Sequence, residues 1–188
     1  FEWAKSIAVG PGLSMNGVAA ELTRCVLERE DKVRILDADA LNIIAAEHID
    51  YKGSSEGKII ITPHIMEMSR LTGKTVADIK EHMIESAKEY AIQHSCICIL
   101  KDARTVVTDG QKVYINCTGN DGMSTGGCGD VLTGLIAGMT AMGLDAFEAA
   151  CLSVYVHGKA GDYAAAGKGR AGMTAADISE AIAYVLKR

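Results

Sequence analysis

Five consecutive apolar residues, Cys96-Ile97-Cys98-Ile99-Leu100, restrict the folds open to this chain more than any other stretch. Successive side chains of a strand point to opposite faces, so a strand that is apolar throughout must be covered on both sides. Three shorter runs repeat the theme: Lys5-Ser6-Ile7-Ala8-Val9 ends at Gly10, Val33-Arg34-Ile35-Leu36 at Asp37, and Lys58-Ile59-Ile60-Ile61-Thr62 at Pro63, the last after a Gly/Ser loop at 53–57. Helical stretches separate them. One lies near 16–30, one runs through Ile43, Ile44 and Ala46, and a long one opens at Thr75-Val76-Ala77-Asp78 and continues through Ile79, Met83, Ala87 and Ala91. Val106-Val107-Thr108 and Lys112-Val113-Tyr114-Ile115 flank Asp109-Gly110, a hairpin signal. Helices over about 127–142 and 145–166, and a last one capped at Thr174, follow. Strands alternating with helices predict an α/β fold: three layers, with a mostly parallel central sheet flanked by helices and a site at the carboxyl ends of the strands. At 188 residues the chain is expected to form a single domain.

The loop Asn120-Asp121-Gly122-Met123-Ser124-Thr125-Gly126-Gly127-Cys128-Gly129-Asp130 carries the clearest chemistry. It leads into an apolar segment, residues 131–139, that reads as a buried helix. A helix N-terminus presents backbone N–H groups without intrahelical partners and a positive dipole end, a ready site for an anion. Gly126, Gly127 and Gly129 let the backbone approach such a ligand closely. Asp130 has two readings: a first-turn acid favoured by the dipole, or a base that takes a proton during group transfer.

Polar residues gather where the other strands end. Gly10-Pro11-Gly12-Leu13 is a glycine turn, suited to a tight bend or to ligand approach. Asp37, Asp39 and Asn42 can hold a hydrated cation or a substrate hydroxyl, although Asp39 also reads as the cap of the next helix. His64 and Glu67 lie three apart on one helical face. Lys101-Asp102-Ala103-Arg104-Thr105 puts two cations after the central strand, either at the solvent edge or within reach of a phosphate.

Several function classes are set aside by composition. A net charge of −5 with no basic stripe argues against nucleic acid and acidic membrane surfaces. No apolar run is long enough for a membrane span, and Phe1-Glu2-Trp3-Ala4-Lys5 does not read as a signal peptide, so a cytoplasmic location is expected. The cysteines at 25, 96, 98, 117, 128 and 151 lack metal-binding or disulfide spacing, and no metal-ligating side-chain set is expected. Cys96 and Cys98 are expected on one face of a strand. Cys128, at a helix N-terminus, is expected to have a lowered thiol pKa and to be reactive.

Thr125-Gly126-Gly127-Cys128-Gly129-Asp130-Val131-Leu132 closely resembles the catalytic segment of the ribokinase-like dehydratases that repair hydrated NADH and NADPH, which usually carry Thr at the position of Cys128. Gly10-Pro11-Gly12-Leu13, Leu36-Asp37-Ala38-Asp39-Ala40-Leu41 and Thr62-Pro63-His64-Ile65-Met66-Glu67-Met68-Ser69-Arg70-Leu71 resemble further motifs of that family, in family order. Ser14 and Asp102 stand where the family commonly has Gly. The resemblance implies a ribokinase-like fold and ADP- or ATP-dependent dehydration of the hydrates NADHX and NADPHX, with Mg2+ accompanying the nucleotide. It implies Asp130 as the catalytic base. Gly12, Asp37, Asn42, His64 and Glu67 then fall on the substrate side, with Lys101, Asp102, Ala103, Arg104, Thr105, Asn120, Ser124, Thr125, Gly126, Gly127, Cys128 and Gly129 toward the nucleotide and its phosphates. Family members commonly form homotetramers, and by resemblance roughly the first third of a member is absent before Phe1. A small-molecule kinase of the same fold, or an inactive nucleotide-binding module, is also compatible with this loop.

Overall fold

The computed structural model describes residues 2–54 and 58–187, so the Gly/Ser loop expected at 53–57 falls partly outside the described residues. Strands β1 (Ser6–Val9), β2 (Val33–Leu36), β3 (Ile59–Ile61) and β4 (Ile97–Leu100) pair in parallel, in chain order. The hairpin β5 (Val106–Thr108) and β6 (Val113–Ile115) then adds two antiparallel strands beside β4.

Residue alternation along these strands builds two cores. Val9, Leu36, Ile59, Ile61, Cys98 and Leu100 face one helical layer. It contains α1 (Gly17–Leu27), α2 (Asp39–Ala46), α3 (Ile65–Thr72), α4 (Val76–Glu81) and α5 (Met83–His94). Ile35, Ile60, Ile97, Ile99 and Val107 face the other, where α6 (Cys128–Ala141) supplies Leu132 and Ile136 and α7 (Ala146–Lys168) supplies Ala146, Ala150 and Val154. The helix α8 (Ala175–Val185) packs on α6 and α7 through Ile178 and Ala181. Complete burial of an isoleucine contributes roughly 1.5–3 kcal/mol, so the isoleucines of β2, β3 and β4 make the sheet the main source of cohesion. The three-layer architecture predicted from the apolar runs is therefore the one observed, with Cys96 and Cys98 in the same core.

Two local expectations are corrected. The long helix expected from Thr75 is two helices, broken at His82, whose φ of −126° and ψ of 49° leave the helical region. The shorter piece buries Ile79, whereas the longer one turns Ala87, Tyr90 and Ala91 into the core beneath the sheet, and one straight axis does not serve both. Asp39 does not cap α2. The helix is entered through Ala38 at φ 47° with no side-chain cap, and Asp39 Oδ2 instead accepts a hydrogen bond of 2.8 Å from Ser14 N, tying the glycine turn after β1 to the start of α2.

Candidate functional site

Parallel strands deliver their last residues to one edge of the sheet, and the chemistry collects there. Asp37 follows β2, His64 follows β3 and Lys101 follows β4, with His64 and Lys101 joined by a parallel backbone bridge. Asp37 is 1% exposed. Its Oδ1 accepts from Lys101 Nζ at 2.9 Å and its Oδ2 from Thr133 Oγ1, on the second turn of α6, at 2.7 Å. Burial by itself pushes the Asp37 carboxyl up, but the Lys101 charge and hydrogen bonds from Lys101, Thr133 and Thr62 outweigh it and hold the group below its ordinary value. Asp37, read from sequence on the substrate side, thus lies beneath the site with both oxygens engaged.

His64 and Glu67 form a capping box at the start of α3. Glu67 N donates to His64 Nδ1 at 3.1 Å, and His64 N donates to Glu67 Oε2 at 2.8 Å. Glu67 is buried, and desolvation raises its pKa against the opposing influence of the His64 backbone N–H and Lys101. The His64 ring stays about half exposed, with Nε2 3.4 Å from Glu67 Oε1. Asn42 Oδ1 accepts from Arg70 Nη1 at 2.7 Å, and both residues line a groove of about 520 Å3 with Met15, Ala45 and Ala46. Gly12 takes a φ of 64° with open space around its α-carbon.

Above this cluster the loop enters α6. Asn120 opens a short 3-10 turn, Asp121–Met123, and its Oδ1 accepts from Gly122 N at 3.1 Å. Gly127 is the N-cap of α6 at φ 88°, a left-handed conformation that costs glycine little, and no side chain caps the helix. Cys128 N donates to Thr125 O at 3.4 Å, and the N–H groups of Gly129 and Asp130 that follow are left to a ligand or to water. Gly126 has open space around it, Ser124 and Asp130 are exposed, and Thr125 is half-buried. Asp102, Ala103 and Arg104 are exposed beyond Lys101, with Thr105 partly covered. The structure therefore brings Lys101, Asp37, Thr133 and Gly129 together: a Cβ built on Gly129 would lie 3.5 Å from Lys101 Nζ and 3.8 Å from Asp37 Oδ2.

The expected reactivity of Cys128 is corrected. Its side chain is buried, and desolvation, reinforced by Asp130, outweighs the hydrogen bond to the Thr125 backbone and raises the thiol pKa. The helix terminus is present, but the sulfur sits in the core with Ala160, Ala164 and Ile178.

Three supporting residues escape a reading of motifs. Thr133 lies inside the apolar stretch 131–139, where a threonine passes for a small core residue. Asp162, on α7, accepts from Gly119 N at 3.1 Å and from Asn120 Nδ2 at 3.0 Å, fixing the start of the loop. An acid inside the small-residue run of α7 was its signal. His157, also on α7, is buried with Nε2 lacking a partner, and desolvation lowers its pKa to about 4. The loop rests directly on α7 because Gly158 has no side chain; a Cβ there would meet Thr118 Oγ1 at 2.1 Å.

Among the described residues no group of three or more His, Cys, Asp or Glu side chains is placed to hold a metal ion, and no helix is long and apolar enough to cross a membrane.

Comparison with known proteins places this geometry. Residues 1–184 match the sequence model of the family described as NAD(P)H-hydrate dehydratase. A bifunctional NAD(P)H-hydrate repair enzyme of Moorella thermoacetica is 45% identical over 183 residues, covering 96% of this chain and 34% of that protein. The ADP-dependent (S)-NAD(P)H-hydrate dehydratase of Neisseria meningitidis is 33% identical, covering 99% of this chain and 63% of its own length. The solved ADP/ATP-dependent NAD(P)H-hydrate dehydratase of Bacillus subtilis, co-crystallised with ATP and Mg2+, superposes with a TM-score of 0.87 at 32% identity, over 98% of this chain and 65% of that one. This chain thus spans about a third of the bifunctional relatives and about two thirds of the single-function ones. On the match across residues 1–184, the chain belongs to the NAD(P)H-hydrate dehydratase family.

Proposed function

We propose that this chain catalyses the ADP- or ATP-dependent dehydration of hydrated NADH and NADPH. The observation that carries the reading is the exposed Asp130 carboxylate, one residue past an uncapped glycine turn whose N–H groups open onto solvent above the partly exposed Lys101. The named activities of the Neisseria and Bacillus proteins support it.

Hydroxide is a poor leaving group, so a net dehydration gains from converting the ring hydroxyl to a phosphate ester. Asp130 takes the hydroxyl proton as the oxygen attacks the terminal phosphorus of the nucleotide; an O–P bond forms and the bond to the nucleotide's bridging oxygen breaks. Phosphate then leaves with the electrons of the C–O bond, a proton departs from the neighbouring carbon, and the dihydronicotinamide double bond returns. The N–H groups of the 126–129 turn hold the phosphoryl oxygens as negative charge builds on them. Lys101 adds a fixed positive charge below, and Asn120, Ser124 and Thr125 line the approach. We assign 102–105 to the nucleotide side and Gly12, Asn42, His64 and Glu67 to the substrate side.

Magnesium fits this arrangement as a companion of the nucleotide. Asp130 is an exposed acid beside the turn, and among the described residues no three His, Cys, Asp or Glu side chains group to hold a metal, an arrangement suited to an ion held mainly by phosphate oxygens and water. When bound, it neutralises charge on the phosphates.

The test is recovery of dihydronicotinamide absorbance from NADHX and NADPHX with magnesium and either ADP or ATP. Nucleotide-dependent recovery is expected. A phosphorylated product that accumulates without recovery would instead identify a kinase of the same fold.

A further inference from the structure

We propose that Asp37 is a positioning residue that holds the Lys101 ammonium beneath the first turn of α6, with its remaining N–H groups directed at the anion which that turn receives. The inference deepens the proposed reaction and rests on it for the identity of the anion.

Three elements meet at this carboxylate. Asp37 leaves β2, Lys101 leaves β4, and Thr133 stands one turn beyond Gly129 on α6; Asp37 joins the latter two at 2.9 and 2.7 Å. A lysine ammonium has three donors, and Asp37 Oδ1 engages one. The side chain of Lys101 keeps 22% of its surface exposed while that of Asp37 keeps 2%, so the pair is closed at the acid end and open at the ammonium end. The opening faces Gly129, where an added Cβ would lie 3.5 Å from Nζ. Glycine at that position keeps the space between the ammonium and the turn clear.

A pair retained only for cohesion needs no open end, and buried ion pairs often hold a structure together no better than apolar side chains of the same volume. Here the carboxylate fixes the ammonium relative to the glycine turn, because the same group is hydrogen-bonded to α6. The distance between the positive charge and the helix N-terminus is thereby set before any ligand arrives, the condition under which fixed charge favours a transition state most.

The experiment compares Asp37→Asn, Lys101→Met, their double variant, Thr133→Val and Thr133→Ser in the full chain. Two readouts are taken: the 15N-resolved NMR signal of the Lys101 ammonium with and without ADP, and kcat and KM for hydrate dehydration. In the wild type the ammonium signal is expected to be sharp and to shift with ADP; in Asp37→Asn and Thr133→Val it is expected to broaden. The same variants are expected to lose kcat by ~10–100-fold while KM moves less than about threefold, the double variant being no slower than Lys101→Met alone. Thr133→Ser keeps the donor and is expected to restore both readouts.

An unchanged ammonium signal and ADP shift in Asp37→Asn, or kcat losses that multiply in the double variant, would overturn the positioning role. A wild type that dehydrates no hydrate would remove the proposed reaction, and the NMR comparison would still decide the role of Asp37.

Discussion

Replacing Lys101 with methionine should destabilise the protein strongly at neutral pH and much less in acid. The substitution keeps the length of the side chain and removes its charge, leaving the Asp37 carboxylate 1% exposed with hydroxyl donors alone. Breaking a buried pair by deleting one partner costs roughly 3–5 kcal/mol. For a domain of this size each kcal/mol lowers Tm by about 2–4 °C, so a fall of roughly 6–20 °C is expected. In the wild type the depressed Asp37 pKa contributes stability above the ordinary carboxylate range that is lost as pH falls through the folded-state value. In Lys101→Met only the Thr133 and Thr62 hydroxyls oppose the burial, the Asp37 pKa rises, and the carboxyl protonates at higher pH. The gap between the proteins should therefore narrow from pH 7.5 to pH 5. Thermal and urea unfolding at both pH values measure it, with Asp37→Asn/Lys101→Met as reference, expected to recover most of the loss. A loss below about 1 kcal/mol at pH 7.5, or one that does not change with pH, would refute the reasoning.

Other outcomes follow from the same contacts. The His157 imidazole, with its pKa lowered to about 4, is neutral in the folded protein and charges in the unfolded chain near pH 6.5; stability is present above about 6.5 and lost as pH falls toward 4. The drop should total about 3 kcal/mol, and His157→Gln should flatten it in pH-dependent urea melts. Gly158→Ala places a methyl 2.1 Å from Thr118 Oγ1 and should cost about 1–3 kcal/mol, with the damage concentrated in the 117–123 loop as faster amide exchange there. Alkylation followed by peptide mapping should modify the exposed Cys25 and Cys117 rapidly and leave the buried Cys128 largely untouched; rapid labelling of Cys128 would contradict its placement.

Much of this architecture is legible in the chain because it depends on period-two apolar patterning and on turn residues. Cys96 to Leu100 and Ile59 to Ile61 require cover on both faces, and Asp109-Gly110 makes the hairpin. The capping boxes at Thr75 and Asp78, and at Thr174 and Asp177, are local and form as read. The break at His82 is different: nothing in residues 76–94 forbids one continuous helix, and only the packing of its two halves in the core separates them. The site divides in the same way. Its glycine turn and strand-end residues stand out by type and spacing. The bond from Thr133 to Asp37 spans 96 residues and joins a residue of an apolar helix to a strand end, so composition gives no sign of it. Asp39 and Cys128 mislead for a shared reason, since a helix-start position says what a side chain is able to do there and tertiary contact decides what it does.

The central claim is that Asp130 moves a proton on an anion-binding turn. The most direct test measures turnover of NADHX by Asp130→Asn alongside its calorimetric affinity for ADP. The account predicts a loss of ~10²–10⁴ in kcat with ADP affinity close to that of the wild type. Turnover by Asp130→Asn within a few-fold of the wild type would contradict it.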